Sequence, residues 1–246
     1  GMVWFRRDLR LRDNPALSAA CQECQEIVPL FVFDEPLLRS HAFGSACVGF
    51  MLGCLEELRR SLALHGVSLA WRTGDPVESV IQAASDFKVD AVYWNRDYEP
   101  AALERDRTVQ QRLAQQGRTV RTFKDHVVFE AEEVRGQSGD PFQRYSAYRD
   151  RWWAKWRAAA PPLLGIPSFP PAGKASASDS REWPSVTDLG YESVPMWIEP
   201  GEQAVHARLQ WFLGGPVHQY VTGRNLPASD GTSKLSPHLR FGTVSA

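Results

Sequence analysis

Asp230-Gly231-Thr232-Ser233 sets two hydroxyls and a run of backbone N–H groups on a glycine turn just ahead of Ser236-Pro237. A helix beginning at Ser236 points the positive end of its dipole at that turn, which suits a phosphate. Thr232, Ser233 and Ser236 can each donate to phosphate oxygens, and Pro237 fits a first turn, where a missing N–H costs nothing. The same residues also make an ordinary turn and helix cap, so the pattern alone leaves both readings open. A second group is the loop at 6–13, with four arginines and two acids directly after an apolar run. It either contacts a ligand or pins itself down through an Arg/Asp network. Third, Arg96-Asp97-Tyr98-Glu99 offers two carboxylates. They can cap a helix or accept hydrogen bonds from a pterin- or flavin-like ring.

Two further groupings have chemical composition but other expected roles. Cys21-x-x-Cys24 has no second CxxC and no histidine pair at ligand spacing, so no metal site is expected. With Cys47 and Cys54, these thiols fall in predicted helices and fit a reduced, cytoplasmic protein. Residues 144–157 interleave five cations with Tyr145, Tyr148, Trp152, Trp153 and Trp156, which would suit stacking on nucleic-acid bases. Tyr145, Tyr148, Trp152 and Trp156 share one helical face, however, and a packed seam is the expected role. Pro237-His238 reads as a helix start rather than a catalytic histidine.

Periodicity supplies the elements that must position these groups. Apolar runs at 2–5, 27–33, 67–71, 91–94 and 118–123 predict strands with helical patterns between them. The clearest helix is 47–64, where Met51, Leu55, Leu58 and Leu62 recur at helical spacing and His65-Gly66 stops the run. Asp75-Pro76 opens another through 86, and Glu99-Pro100 a third through 116. This alternation predicts an α/β fold with a doubly wound, five-stranded parallel sheet, whose ligands sit beyond the strand carboxyl ends. The loop after the first strand has no glycine, which argues against an NAD-type site. A Pro-, Ser- and Ala-rich passage at 158–200 lacks periodicity and reads as a long connection. A helix is expected at 201–213, with Val205, Leu209 and Phe212 on one face.

The chain has 246 residues, 43% of them hydrophobic, enough for one large core or two smaller ones. Its net charge is −1 and both halves are balanced, so nucleic-acid binding must come from a local patch. No apolar run approaches the ~20 residues of a membrane span, and no signal peptide precedes the first strand. A cytoplasmic monomer without a membrane partner is expected.

Four stretches carry a resemblance. The opening run from Val3-Trp4-Phe5-Arg6-Arg7-Asp8 to Asn14-Pro15-Ala16-Leu17 is similar to the first strand and loop of the photolyase/cryptochrome family. Trp94-Asn95-Arg96-Asp97-Tyr98-Glu99-Pro100 and Pro141-Phe142-Gln143-Arg144-Tyr145 also resemble it. So does the closing run, with Tyr220, Arg224-Asn225-Leu226-Pro227 and Gly231-Thr232-Ser233-Lys234-Leu235-Ser236-Pro237. The resemblance covers the whole chain, more weakly at 159–200.

It implies a Rossmann-like antenna domain at 1–130, a helix and long linker at 131–200, and the truncated start of an all-α FAD domain at 201–246. Tyr220, Thr232, Ser233, Lys234, Leu235 and Ser236 match positions that hold FAD. Arg7, Asp97 and Glu99 fall at the antenna chromophore, of methenyltetrahydrofolate or 8-hydroxy-5-deazaflavin type, and Arg224 near the DNA backbone. Where many relatives have Ser-Pro-x-Arg, this chain has Gly44-Ser45-Ala46-Cys47, which leaves the antenna's identity open. The implied parent is a deoxyribodipyrimidine photo-lyase. In it, reduced FAD excited by blue light donates an electron to a cyclobutane pyrimidine dimer in UV-damaged DNA, the ring splits and the electron returns. The alternative is a blue-light receptor of the cryptochrome type, which binds FAD without repair. This stretch alone is expected to be inactive and to hold FAD weakly, with no catalytic residue within it. The family's tryptophan electron chain lies beyond residue 246, so Trp152, Trp153 and Trp156 do not inherit that role.

Overall fold

Side-chain alternation along short apolar strands decides the layers. In a computed structural model, which describes residues 1–136, 139–171 and 182–246, five strands form one sheet. They are β1 (Met2–Phe5), β2 (Val28–Asp34), β3 (Ala70–Gly74), β4 (Ala91–Asn95) and β5 (Thr119–Phe123), in order β3-β2-β1-β4-β5. Every neighbouring pair is parallel, with Met2 opposite both Val28 and Val92. Met2, Trp4, Leu30, Val32, Val92 and Trp94 face one side; Val3, Phe5, Phe31, Phe33 and Tyr93 face the other.

Helices cover both faces. On the first lie α4 (Pro76–Asp86) and α5 (Pro100–Gln115), through Val80, Ala84, Val109 and Leu113. On the second lie α1 (Pro15–Glu23) and the long α3 (Ser45–Leu64), through Leu17, Leu55, Leu58 and Leu62; a short α2 (Glu35–Arg39) follows β2. Asn14, Asp34 and Asp75 cap α1, α2 and α4 through their side chains, each ahead of a proline in the first turn. Among the described residues, no helix is long and apolar enough to cross a membrane.

The structure moves three expectations. The apolar run at 67–71 enters the sheet only at Ala70, because residues 66 and 67 are used to end α3: Gly66 takes φ +74° and Val67 N–H donates to Leu62 O at 3.1 Å. Cys24 lies just past α1 as its C-cap, not inside a helix. In α6 (Tyr145–Ala158) the expected packed seam is absent: no residue of the helix is buried, and Tyr145 is 76% exposed. Trp152 and Trp156 do stack on each other, 5.6 Å apart, Trp152 meets Phe129, and Tyr148 lies edge-on to Phe142 at 6.3 Å, but Tyr145 stands in solvent.

The described residues between α6 and residue 201 form no helix or strand, yet they are more than a tether. Trp183 packs between Phe33 and Trp71, Phe169 stacks on His65 at 4.5 Å, and the buried Tyr191 donates its hydroxyl to Leu38 O at 2.7 Å. Then come α7 (Glu202–Gly214), α8 (Tyr220–Gly223) and α9 (Ser236–Phe241). Both α7 and α9 contact α3. Glu202 accepts from the Leu11 and Arg12 amides at 2.8 and 3.0 Å, and Leu9 N–H donates to Phe241 O at 3.0 Å. The loop after β1 is thus clasped from the C-terminal side.

Gly242 shows how close that clasp is. It has φ +63°, and a Cβ there would lie 1.9 Å from Arg7 O. Gly242→Ala is expected to cost at least ~2 kcal/mol in chemical denaturation, from backbone strain plus forced separation. Gly214→Ala, in the last turn of α7 with nothing within 4 Å, should be neutral or stabilising by up to ~1 kcal/mol.

Candidate functional site

The loop after β1 divides its charges between structure and a cleft. Asp8, Asn14 and Asn95 are buried together: Asn95 Nδ2 donates to Asp8 Oδ2 at 2.7 Å and to Asn14 Oδ1 at 2.8 Å, while Asn95 Oδ1 accepts from Ala16 N–H. Arg6 forms a two-point bond to Asp106 at 2.6 and 2.7 Å and lies over the Trp4 ring. Arg10 is ion-paired with Asp125, both almost wholly buried, and also donates to the carbonyls of Arg12 and Gly242, each at 3.0 Å. Burial pushes the Asp125 carboxyl up, against the pull of Arg10. For Arg10, therefore, the network reading holds, while Arg6 is pinned in the same way and also borders the cleft that Arg7 faces.

Arg7 instead faces a cleft of about 420 Å³ beyond the carboxyl ends of β1, β2 and β4. This is the crevice that a doubly wound sheet opens where its strand order reverses. Trp4, Phe31, Phe33, Val48 and Phe241 supply apolar wall. A line of charges crosses it: Asp97, nearly buried, lies 3.6 Å from Arg7; Arg7 bonds Glu99 at 2.6 Å; and Arg240 of α9 bonds the same Glu99 oxygen at 2.8 Å. Side-chain exposure rises from 7% at Asp97 through 27% at Arg7 to 55% at Glu99, so the line runs from the interior outward. Burial alone would raise Asp97, but the Glu99 and Tyr98 amides and the nearby Arg7 hold it below the usual carboxylate range. The Arg240 hydrogen bond, with Arg7, holds Glu99 down as well. The structure therefore brings Arg7, Asp97 and Glu99 into one site.

Local sequence had not pointed to Arg240, Asp34, Asp75 or Arg105, which also line the cleft. For Asp34 and Asp75 a signal existed, an acid one or two residues ahead of a proline and within a few residues of an apolar run. Arg240 had none, because it arrives from 141 residues beyond Glu99.

The turn at 230–236 is a separate place, since none of its residues lines the cleft. Asp230 binds Arg208 through two 2.7 Å bonds and Lys234 through a third, which hold its carboxyl far below the usual range. Arg208 also donates to Thr232 O and Ser233 O, so it clamps the whole turn. A Cβ on Gly231 would meet the Gly223 backbone at 2.7 Å, which packs this turn against α8. Thr232, Ser233 and Leu235 are half-buried and Ser236 is exposed at the head of α9, a helix of six residues whose dipole is correspondingly short. Tyr220 is 40% exposed, edge-on to Phe212, with the Arg224 guanidinium 5.6 Å from its ring. Asp230 thus takes Arg208 and Lys234, and Arg224 is left on the aromatic face. Among the described residues, no group of three or more His, Cys, Asp or Glu side chains could hold a metal ion.

His238 ties α9 to α3. It is fully buried, edge-on to Phe50, with Nδ1 2.8 Å from Thr243 Oγ1 and no partner for Nε2. Burial pushes its pKa down to about 4, so the folded protein keeps it neutral. Because an unfolded histidine takes a proton near pH 6.5, stability is full above that pH and declines as the pH falls toward about 4. The loss is on the order of 3 kcal/mol across this window. An NMR titration should place the His238 imidazole below 5, and His238→Phe should flatten the pH dependence of the unfolding free energy.

A family model described as DNA photolyase matches residues 2–167. An uncharacterized 31.6 kDa protein of Synechococcus sp. (strain PCC 6716) is 36% identical over 244 residues, covering 99% of this chain and 85% of its own length. The deoxyribodipyrimidine photo-lyase of Synechococcus sp. (strain ATCC 27144 / PCC 6301 / SAUG 1402/1) is 33% identical and Cryptochrome-1 of Arabidopsis thaliana 32%. Each matches 99% of this chain, but only 51% and 36% of its own length. A bacterial class III photolyase from Agrobacterium tumefaciens superposes with a TM-score of 0.82 at 28% identity, over 99% of this chain and 50% of that one. The chain thus spans about half the length of the photolyases it matches.

Proposed function

Because the chain belongs to the DNA photolyase family, we propose that it supplies the light-collecting part of a light-driven DNA-repair lyase, together with one wall of its flavin site. In this reading residues 1–130 form the antenna domain, 131–200 the helix and linker, and 201–246 the first helices of a FAD domain. The protein acts as a cytoplasmic monomer on UV-damaged DNA. The observation that carries the reading is the Arg7–Asp97–Glu99–Arg240 line across an apolar cleft of about 420 Å³. That volume suits a planar, drug-sized ligand.

The cleft's chemistry fits a chromophore of the folate or deazaflavin type. Asp97 and Glu99, both kept ionised, can accept hydrogen bonds from ring N–H groups; Arg7 and Arg240 balance their charge and fix their rotamers. Trp4 and the phenylalanines exclude water from the ring faces. On the flavin side the fit is to the diphosphate only: Thr232, Ser233, Lys234 and Ser236 offer donors, with Leu235 and Tyr220 beside them. Arg224 is free to meet a DNA phosphate. When bound, an antenna supplies excitation energy and a reduced flavin supplies the electron that splits a pyrimidine dimer. The nearly equal likeness to Cryptochrome-1 supports a second reading, a blue-light receptor that binds the same groups without repair.

Mixing the purified protein with methenyltetrahydrofolate or with 8-hydroxy-5-deazaflavin should produce saturable fluorescence changes for one of them. Asp97→Asn should weaken that binding ~10-fold or more, the scale of one charge-assisted hydrogen bond. Saturation by neither chromophore would remove the antenna reading. FAD should dialyse away from this chain, and its stoichiometric retention would show that the flavin site is already complete here. Joined to the remaining half of a photolyase that it matches, the chain should clear dimers from UV-irradiated DNA under blue light. Persistence of the dimers with reduced flavin bound would favour the receptor.

A further inference from the structure

The helix α6 carries a surface that neither the cleft nor the flavin wall uses. Tyr145, Arg149, Trp153 and Arg157 follow one another at intervals of four residues, so they form a stripe along one side of the helix. All four are exposed: Tyr145 by 76%, Trp153 by 45%, the Arg149 side chain by 50%, and Arg157 likewise in the exposed class. The helix is anchored elsewhere, by Trp152 against Phe129 and by Lys155 on Glu133 O at 3.0 Å. Its cover is therefore partial on one side and missing on the other.

The composition of the open side selects a partner. Residues 144–157 hold five cations against one acid in a chain of net charge −1, so the positive field is local to this helix. Arg144 and Arg151 form no ion pair among the described residues, and the Arg149–Asp150 pair at 2.8 Å is a solvated surface contact that a phosphate can replace. The Arg157 guanidinium lies 5.9 Å from the Trp153 ring, leaving charge and ring side by side. An apolar protein partner would leave these guanidinium groups buried without counter-charges, whereas a polyanion would satisfy them. Flat rings alternating with cations match a strand whose charged backbone is continuous and whose bases are free to stack. A paired duplex hides those base faces. From Tyr145 to Arg157 the stripe spans roughly 18 Å, the reach of about five nucleotides at a stacked spacing.

We infer that the Tyr145–Arg149–Trp153–Arg157 face of α6 is a binding surface for single-stranded nucleic acid, separate from the Arg224 contact proposed for damaged DNA and independent of any chromophore.

Fluorescence anisotropy of labelled dT10 with the whole chain tests this at 50 mM salt. Binding should be saturable, weaken as salt rises, and favour dT10 over the dT10·dA10 duplex. Trp153→Ala should lower affinity about 5- to 100-fold, and Trp153→Phe should recover much of it, since the ring is what stacks. Arg149→Gln with Arg157→Gln should reduce the slope of log affinity against log salt by about 1.4, the share of two cations on a single strand. These positions are exposed, so each variant should melt within a degree or two of the parent. Absence of dT10 binding at 50 mM salt would overturn the inference. So would equal affinity for the duplex, or a Trp153→Ala protein that binds as the parent does. Concentration-dependent self-association abolished by the same substitutions would assign the face to protein contact instead.

Discussion

Arg10 lies almost fully buried against Asp125, and its remaining donors reach the carbonyls of Arg12, Asp13 and Gly242. A guanidinium has five N–H groups and no way to shed its charge, so each donor left unsatisfied in the interior would be costly. The pair therefore demands that β1, the strand β5 that leads to Asp125, and the chain at 242 all arrive at one point. Leu9 through its backbone N–H and Glu202 through its carboxylate reinforce the same junction, and Gly242 is the residue that can approach Arg7 O closely enough to complete it. The C-terminal segment is thus held by the polar centre of the α/β unit as well as by its apolar surface.

That junction also determines what the cleft can be. Arg7 lies one residue from the start of the buried Asp8–Asn14–Asn95 network, so its backbone is immobilised while its side chain is free to turn outward. Arg240 is brought to Glu99 by the docking of α9, which Phe241 and His238 seat against Phe50. Charges across the cleft are therefore paired and oriented before any ligand enters. A ligand needs only to exchange partners with groups already in place, which lowers the ordering cost of binding.

The residues around α6 follow a different logic. Phe129, Trp152 and Trp156 pack on one another in a small satellite cluster, and Lys155 spans from the Phe129 ring to Glu133. This is enough to fix the helix without covering it. The segment after it packs Phe169, Trp183 and Tyr191 against the sheet layer instead, so apolar contact there belongs to isolated aromatic anchors rather than to regular elements.

Sequence alone determined what is local. Short apolar runs and the proline-opened helices after Asp75 and Glu99 are set by backbone geometry within a few residues, and the parallel α/β sheet follows from their order. The grouping of Arg7, Asp97 and Glu99 was legible too, because all three lie just after strands whose carboxyl ends must converge. Single anchors such as Trp183 and Tyr191 were not, since one ring in an irregular stretch has no period to detect. The aromatic face of α6 was legible as a pattern and misread as a seam, because helical spacing says which residues share a side and nothing of what lies opposite. Only the tertiary structure decided that Arg10 is structural while Arg7 faces the cleft, that Arg208 and Lys234 take Asp230, and that Arg240 completes the line at Glu99. Apart from the i,i+4 pair of Lys234 with Asp230, each of these depends on pairing between groups tens of residues or more apart, which do not meet until the chain has folded.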